Sequence, residues 1–425
     1  MAGLLLGGCT TSAPVPERSA LPVPPYDFPF DNPWVATVVG TPSEQRGVFP
    51  IRTAPQRRKL VLFPERTIPE GFWYYDGMDY SVLLQSGPAP LVFVIGGTGA
   101  DDRSRLMLLL GRIMHAGGSH VILIPSPSHA NFIVTASSNF LPGRAGHDAS
   151  DLLRVMHALK DRLAGEIQVT RYDLAGYSLG AWHAAFVAKA DAEREDRIGF
   201  DRVLLLNPPL SLYRSIEEID AMLYKGLPNG IDGLRYFLNQ AGARLSHAYS
   251  TSDPLDFSDQ DFLFEAYSRM QPSDESLATT VGLAFRFSTM NLIFTSDVMG
   301  HAGYVFPFDK QFRSTTPLGD YMAVAMRLSF MDYFNDIYVE QYANETVSRQ
   351  DLIDQSSLEY IRGWLSRQTN IYLLTNSDDI ILAKGDLEIL VNIFQERSQV
   401  YPNGGHMGNL AHRSVTGYIT RFFTA

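Results

Sequence analysis

The chain has 425 residues, 45% hydrophobic and 19% charged, with a formal net charge of −11. That length suits a large core carrying an insertion or second domain, and the composition is that of a folded globular chain. The negative balance argues against a nucleic-acid partner, whose phosphates call for cationic groups. The lone cysteine, Cys9, excludes an intramolecular disulfide and a cysteine-built zinc or iron–sulfur site.

In chain order, the first feature is a short apolar run ending in Leu6-Gly7-Gly8-Cys9. It resembles the lipobox of bacterial lipoprotein signal peptides. The resemblance implies a signal peptide, lipidation of Cys9 and membrane anchoring in the cell envelope. With the non-acidic Thr10 following, it implies an outer-membrane position facing the periplasm; a cytoplasmic or soluble periplasmic protein is the alternative. Residues 10–33 are rich in Pro, Ser and Ala, so that residues 1–33 read as a lipobox-like segment and flexible tether. No run of about 20 apolar residues reads as a transmembrane helix.

From 34 to 86 come short β-like runs at 35–39, 59–63 and 71–84, broken by Pro and Gly, which predict antiparallel hairpins. The pattern then becomes strand–helix alternation. Apolar strand runs at 91–95, 120–124, 172–175 and 202–206 are interleaved with helical spacing at 105–116, 148–163 and 179–190. Uniformly apolar strands between helices predict a parallel sheet covered on both faces. Residues 213–368 are rich in aromatics and Met, helix-like at 318–342 and 357–366, and without a convincing buried strand. The alternation resumes with a strand at 371–375, a helix at 386–396, a strand at 399–401 and a last helix over about 409–423. The reading is an α/β protein: a doubly wound, mostly parallel sheet in two parts, 34–212 and 369–425, with a helical cap or lid inserted at 213–368.

Chemistry concentrates in Gly176-Tyr177-Ser178-Leu179-Gly180, between a strand and an Ala-rich helix. A sharp strand-to-helix turn lifts the serine above the sheet, and residues two before and two after it have no room for side chains. The Leu179 N–H then lies at a helix N-terminus, where a developing oxyanion is favoured. The loop after the first central strand, Gly96-Gly97-Thr98-Gly99, can supply a second oxyanion donor from Gly97 or Thr98. A serine needs a base to take its proton. Of ten histidines, His406 stands in the glycine-rich turn 403–409 after the last strand, C-terminal to the serine. His412 reads as a surface residue of the final helix, while His129, His147 and His301, with the loop-like segments 131–140 and 297–304, could border the site. The acid that orients the imidazole is expected after the strand 371–375, at Asp379 or its neighbour Asp378; no carboxylate directly follows Leu206.

These motifs resemble the α/β-hydrolase superfamily over about 90–212 and 370–425. The superfamily's turn pattern favours Asp379 over Asp378. The resemblance implies a serine esterase or lipase-like enzyme acting through an acyl-serine intermediate with Ser178, Asp379 and His406, without metal or organic cofactor. The expected partner is a small-molecule acyl ester, lipid-like if the protein is exported. An acyltransferase, thioesterase or peptidase would use the same three residues, and a non-catalytic envelope protein retaining the fold is the reading from another class.

Overall fold

The computed structural model describes residues 25–48, 54–227, 229–249 and 261–424. Cys9 and most of the proposed tether lie outside them. Eight strands form one sheet: β1 (Gln56–Leu60), β2 (Met78–Leu83), β3 (Ala89–Ile95), β4 (His120–Ile124), β5 (Val169–Tyr177), β6 (Phe200–Leu206), β7 (Ile371–Asn376) and β8 (Ser398–Tyr401). Their spatial order is β1-β2-β4-β3-β5-β6-β7-β8. β2 runs antiparallel to both neighbours, and β4 through β8 are parallel. This is the α/β-hydrolase fold.

Alternation along the central strands explains the layering. Leu91, Phe93 and Ile95 join the core beneath helices α4 (Ala145–Leu163) and α5 (Leu179–Ala192), while Val92 and Val94 join the core beneath α2 (Arg105–Ala116) and the last helix, Arg413–Thr424. Both faces being covered, both sets must be apolar. α5 is apolar nearly all round because it is buried on nearly all sides.

The run 35–39 is not a strand. Helix α1 (Pro33–Val39) occupies it, with Pro33 at its first turn and the Asn32 side chain accepting from the N–H groups of Trp34 and Val35. Proline's fixed φ and a side-chain cap start a helix and outweigh the β-branched residues' preference for a strand. The expected hairpins reduce to the β1–β2 pair.

Between β6 and β7 lies a helical region. Its spine is α9 (Asp274–Gly300), which packs on α6 (Leu212–Tyr224). By length and hydropathy alone α9 could cross a bilayer, yet 61% of that window is buried inside the protein. The crossing is close because Gly282 sits against the backbone of Met222 and Leu223, where a Cβ would overlap the Leu223 nitrogen. Buried Arg286 faces Asp220 across the same crossing at 3.6 Å. The stretch 318–342 is broken rather than one helix. A capping box at Ser329 and Asp332 restarts it, and Tyr333–Tyr338 winds as a π-helix. The segment 131–140 begins in helix α3 (Ala130–Thr135), and 297–300 is the end of α9.

Candidate active site

β5 ends in Tyr177, and Ser178 turns the chain into α5 with φ 53° and ψ −127°, a conformation side chains rarely adopt. Two glycines make the turn sterically feasible. A Cβ on Gly176 would overlap the carbonyl of Gly180, and one on Gly180 would overlap the carbonyls of Ile95 and Gly96. The Ser178 N–H donates to the Leu206 carbonyl at 2.8 Å, tying the turn to β6.

The Ser178 hydroxyl lies 3.0 Å from His406 Nε2. His406 Nδ1 lies 2.9 and 3.1 Å from the two carboxylate oxygens of Asp379. A carboxylate only accepts, so Nδ1 carries the ring proton and Nε2 is left to accept from the serine. All three side chains are buried, with Ser178 at 6%, Asp379 at 6% and His406 at 9% exposure. Asp379 also accepts from Asn207 Nδ2 at 2.7 Å and from the Ile381 N–H at 3.2 Å. Asn207 takes the place after β6 where no carboxylate stands, and it reaches Asp379 from a backbone of φ 48°.

Asp378 faces the other way. Its oxygens accept from the N–H groups of Gly404 at 3.1 Å and Gly405 at 2.9 Å, so it fastens the loop carrying the histidine. Burial raises its pKa above the usual carboxylate range, against those two donors.

That loop is held largely by the N-terminal segment. The His406 N–H donates to Thr37 Oγ1 at 2.9 Å. The Tyr26 hydroxyl donates to the Asn403 carbonyl at 2.5 Å and accepts from Asn409 Nδ2 at 2.9 Å. Asn403 Nδ2 in turn reaches Phe30 O and Asp31. Side chains at Gly405 and Gly408 would overlap α1, at the carbonyls of Pro33 and Ala36 respectively. Sequence reading missed this cradle because it placed a strand at 35–39.

Thr98, Ser178 and Leu179 line one cavity. Leu179 opens α5, so its N–H has no intrahelical acceptor. Gly97 packs against the Tyr177 ring and Ser178, where a Cβ would sit 2.6 Å from Tyr177 Cε2 and 3.2 Å from Ser178 Cβ. The loop is steadied by Gly99, at φ +67°, whose N–H donates to Ser128 at 2.9 Å. The cavity's other walls come mainly from the inserted region, with Ile216, Ile219, Leu292, Phe330, Tyr333, Phe334 and Tyr338 among them.

The other histidines fall elsewhere. His129 caps α3, accepting from the Asn131 N–H at 3.2 Å, and burial lowers its pKa. His301 ends α9 in the left-handed region, and His147 contacts Asn139. His412 is fully buried rather than on the surface, with Nε2 3.0 Å from Asp27. His183, which the sequence did not mark, lies in the cavity wall. Among the described residues no cluster of histidines and acids has the makings of a metal site.

No family model and no curated protein matches the chain. Solved structures do resemble it. A thioesterase domain from a curacin biosynthetic pathway matches at 13% identity, over 87% of this chain and 99% of that one, with a TM-score of 0.38. A Pyrococcus furiosus esterase matches at 10% identity over 88% and 92%, with a TM-score of 0.37. A putative hydrolase from Legionella pneumophila matches at 11% identity over 88% and 90%, with a TM-score of 0.39. The sheet's strand order, its one reversed strand and the strained serine turn between β5 and α5 make this chain an α/β-hydrolase-fold protein.

Proposed function

We propose that the protein is a serine hydrolase that cleaves a carboxylic ester with an uncharged, largely apolar acyl chain. The observation that carries this reading is the unbroken series Ser178–His406–Asp379 opening onto a cavity whose wall, among the described residues, holds many apolar side chains and no Asp, Glu, Lys or Arg. A wall without formal charges offers an anionic or cationic substrate no partner and favours a hydrocarbon chain.

In the reaction, His406 Nε2 takes the Ser178 proton as Oγ bonds to the carbonyl carbon. The carbonyl oxygen becomes an oxyanion facing the N–H groups of Leu179 and the Gly97–Thr98 loop. Asp379 holds the imidazolium in register through Nδ1. The intermediate collapses as the carbon–oxygen bond to the alcohol breaks and His406 returns its proton to that leaving oxygen. Water then repeats the sequence on the acyl-serine, His406 again acting as base, and releases the acid.

The test has two parts. A fluorophosphonate should label the wild type and leave Ser178→Ala unlabelled. Across p-nitrophenyl esters of increasing chain length, kcat/KM should rise until the cavity is filled. No labelling of the folded protein, or a flat profile near background, would overturn the reading.

The envelope position belongs to the same proposal and rests on Leu6-Gly7-Gly8-Cys9. Full-length protein should fractionate with membranes and Cys9→Ser should not; equal attachment of both would refute the anchor.

A further inference from the structure

The loop after β3 contains Gly96, Gly97 and Gly99, with Thr98 as its only residue bearing a side chain before Ala100. So glycine-rich a stretch has no preferred course of its own, and its tethers decide where its N–H groups point. The Gly96 N–H donates to the Ile124 carbonyl at 3.1 Å, and the Ala100 N–H closes a turn onto the Gly97 carbonyl at 3.0 Å. The Ala100 carbonyl accepts from the Ser126 N–H at 2.9 Å, and the Gly99 N–H donates to Ser128 Oγ at 2.9 Å. Among the described residues no protein group takes the N–H of Thr98.

Three of these four tethers are made by main chain alone, and the fourth depends on one hydroxyl. Ser126 and Ser128 directly follow β4, whose Ile124 pairs with Ile95 at the end of β3, so the loops after the two strands run side by side. Ser126 is 0% and Ser128 4% exposed, and their hydroxyls bond each other at 2.9 Å, so the acceptor of the Gly99 N–H is itself held. Gly99 also meets the inserted region: a Cβ there would lie 2.6 Å from Ser288 Oγ on α9. Thr98 and Ser128 line the same cavity as Ser178 and Leu179.

We infer that Ser128 is a positioning residue of the oxyanion site: by taking the Gly99 N–H it fixes the Thr98–Gly99 peptide and leaves the Thr98 N–H to the developing oxyanion. In this role Ser128 makes no bond to substrate and acts through the main chain. Without its hydroxyl the Gly99 N–H loses its acceptor, and the glycines on either side of Thr98 let the loop turn in search of another. The loss falls on the transition state, because the oxyanion exists only there. The inference rests on the serine-hydrolase reading of the site.

The experiment uses the full chain, a p-nitrophenyl ester, and a trifluoromethyl ketone of the same chain length. Ser178 Oγ adds to the ketone carbon as its proton passes to His406, and the ketone oxygen becomes an oxyanion, so the inhibition constant reports the oxyanion site directly. In Ser128→Ala, kcat should fall about tenfold, less than the roughly 10²–10³-fold that follows outright loss of a donor. The ketone's inhibition constant should rise by the same factor while KM stays nearly constant. Ser128→Cys keeps the side chain's shape and replaces a good acceptor by a weak one, so it carries the same expectation if the alanine variant does not fold. Wild-type kcat and ketone affinity in a folded variant would overturn this inference, with fluorophosphonate labelling intact and the hydrolase reading standing. A rise in KM that matches the loss of ketone affinity would also overturn it, since packing lost around the cavity weakens ground state and transition state alike. Failure of wild type to hydrolyse the ester, together with failure of fluorophosphonate labelling, would remove the hydrolase reading and this inference with it.

Discussion

The serine turn and the histidine loop meet at a 3.0 Å contact and are built in opposite ways. The serine turn is a local construction: Gly176 and Gly180 stand two residues either side of Ser178, and the clashes they avoid involve one another and the adjacent strand β3. The histidine loop is a remote construction, held by Tyr26, Thr37 and the α1 backbone from more than 360 residues away in sequence. The difference teaches where each half of the site is vulnerable. The serine is set by backbone sterics that fail all at once, and the histidine by several hydrogen bonds that fail by degrees.

The sharpest way to break the comparison is at the link between the halves. Asp379→Asn can hold His406 in the wrong tautomer, and kcat should fall about 10³–10⁴-fold while near-ultraviolet circular dichroism stays native. A loss under tenfold would mean that the acid does not orient the base. Next comes the serine turn itself. Gly180→Ala forces a methyl into the carbonyls of Ile95 and Gly96 and should cost about 3 kcal/mol or more, read as a lowered denaturation midpoint or loss of soluble protein. Full stability with full activity would show that the turn relaxes freely.

The histidine loop should give way more gently. Thr37→Val removes the acceptor of the His406 N–H at nearly constant volume, and about 1–3 kcal/mol attaches to a buried donor left unmet. Fluorophosphonate labelling should slow about tenfold, with the melting temperature lowered by a few degrees. An unchanged labelling rate would detach α1 from the base.

The smallest effect concerns pH and the strand feeding the serine turn. Burial raises Asp173 on β5 to about 6, against the pull of Arg171 and Arg202. A carboxyl whose folded pKa exceeds its unfolded one makes the native state bind more protons. Its contribution to stability is therefore constant below about pH 4, declines as pH rises to about 6, and stays at its lower level above. Urea midpoints taken across that window should fall less steeply in Asp173→Asn than in wild type. Parallel curves would place the titration elsewhere.

Much of the core was legible because its signals are local. Apolar strand runs of the right length marked β3, β4, β6 and β7 within a few residues, and Gly176-x-Ser178-x-Gly180 announced a turn that only glycines permit. The structure brings Asp379, not Asp378, against His406, as the superfamily's turn pattern favours. What was illegible depends on contacts between distant segments. A run of valines around Thr37 looked like a strand, although Asn32 and Pro33 were helix-start signals in plain sight. His412 looked exposed because nothing local says that Asp27, Tyr26 and Phe28 cover it. Asn207 and His183 carry no motif. Their places follow from which strand lies beside which, and from where the inserted helices come down.

The short helix at Pro33–Val39 has a mechanical consequence. Whatever pulls on the amino end of the folded part loads Tyr26 and α1, and through them both the imidazole's loop and the end of β8. A chain trimmed to begin at residue 41 would keep every strand and lose the rest on which His406 is seated.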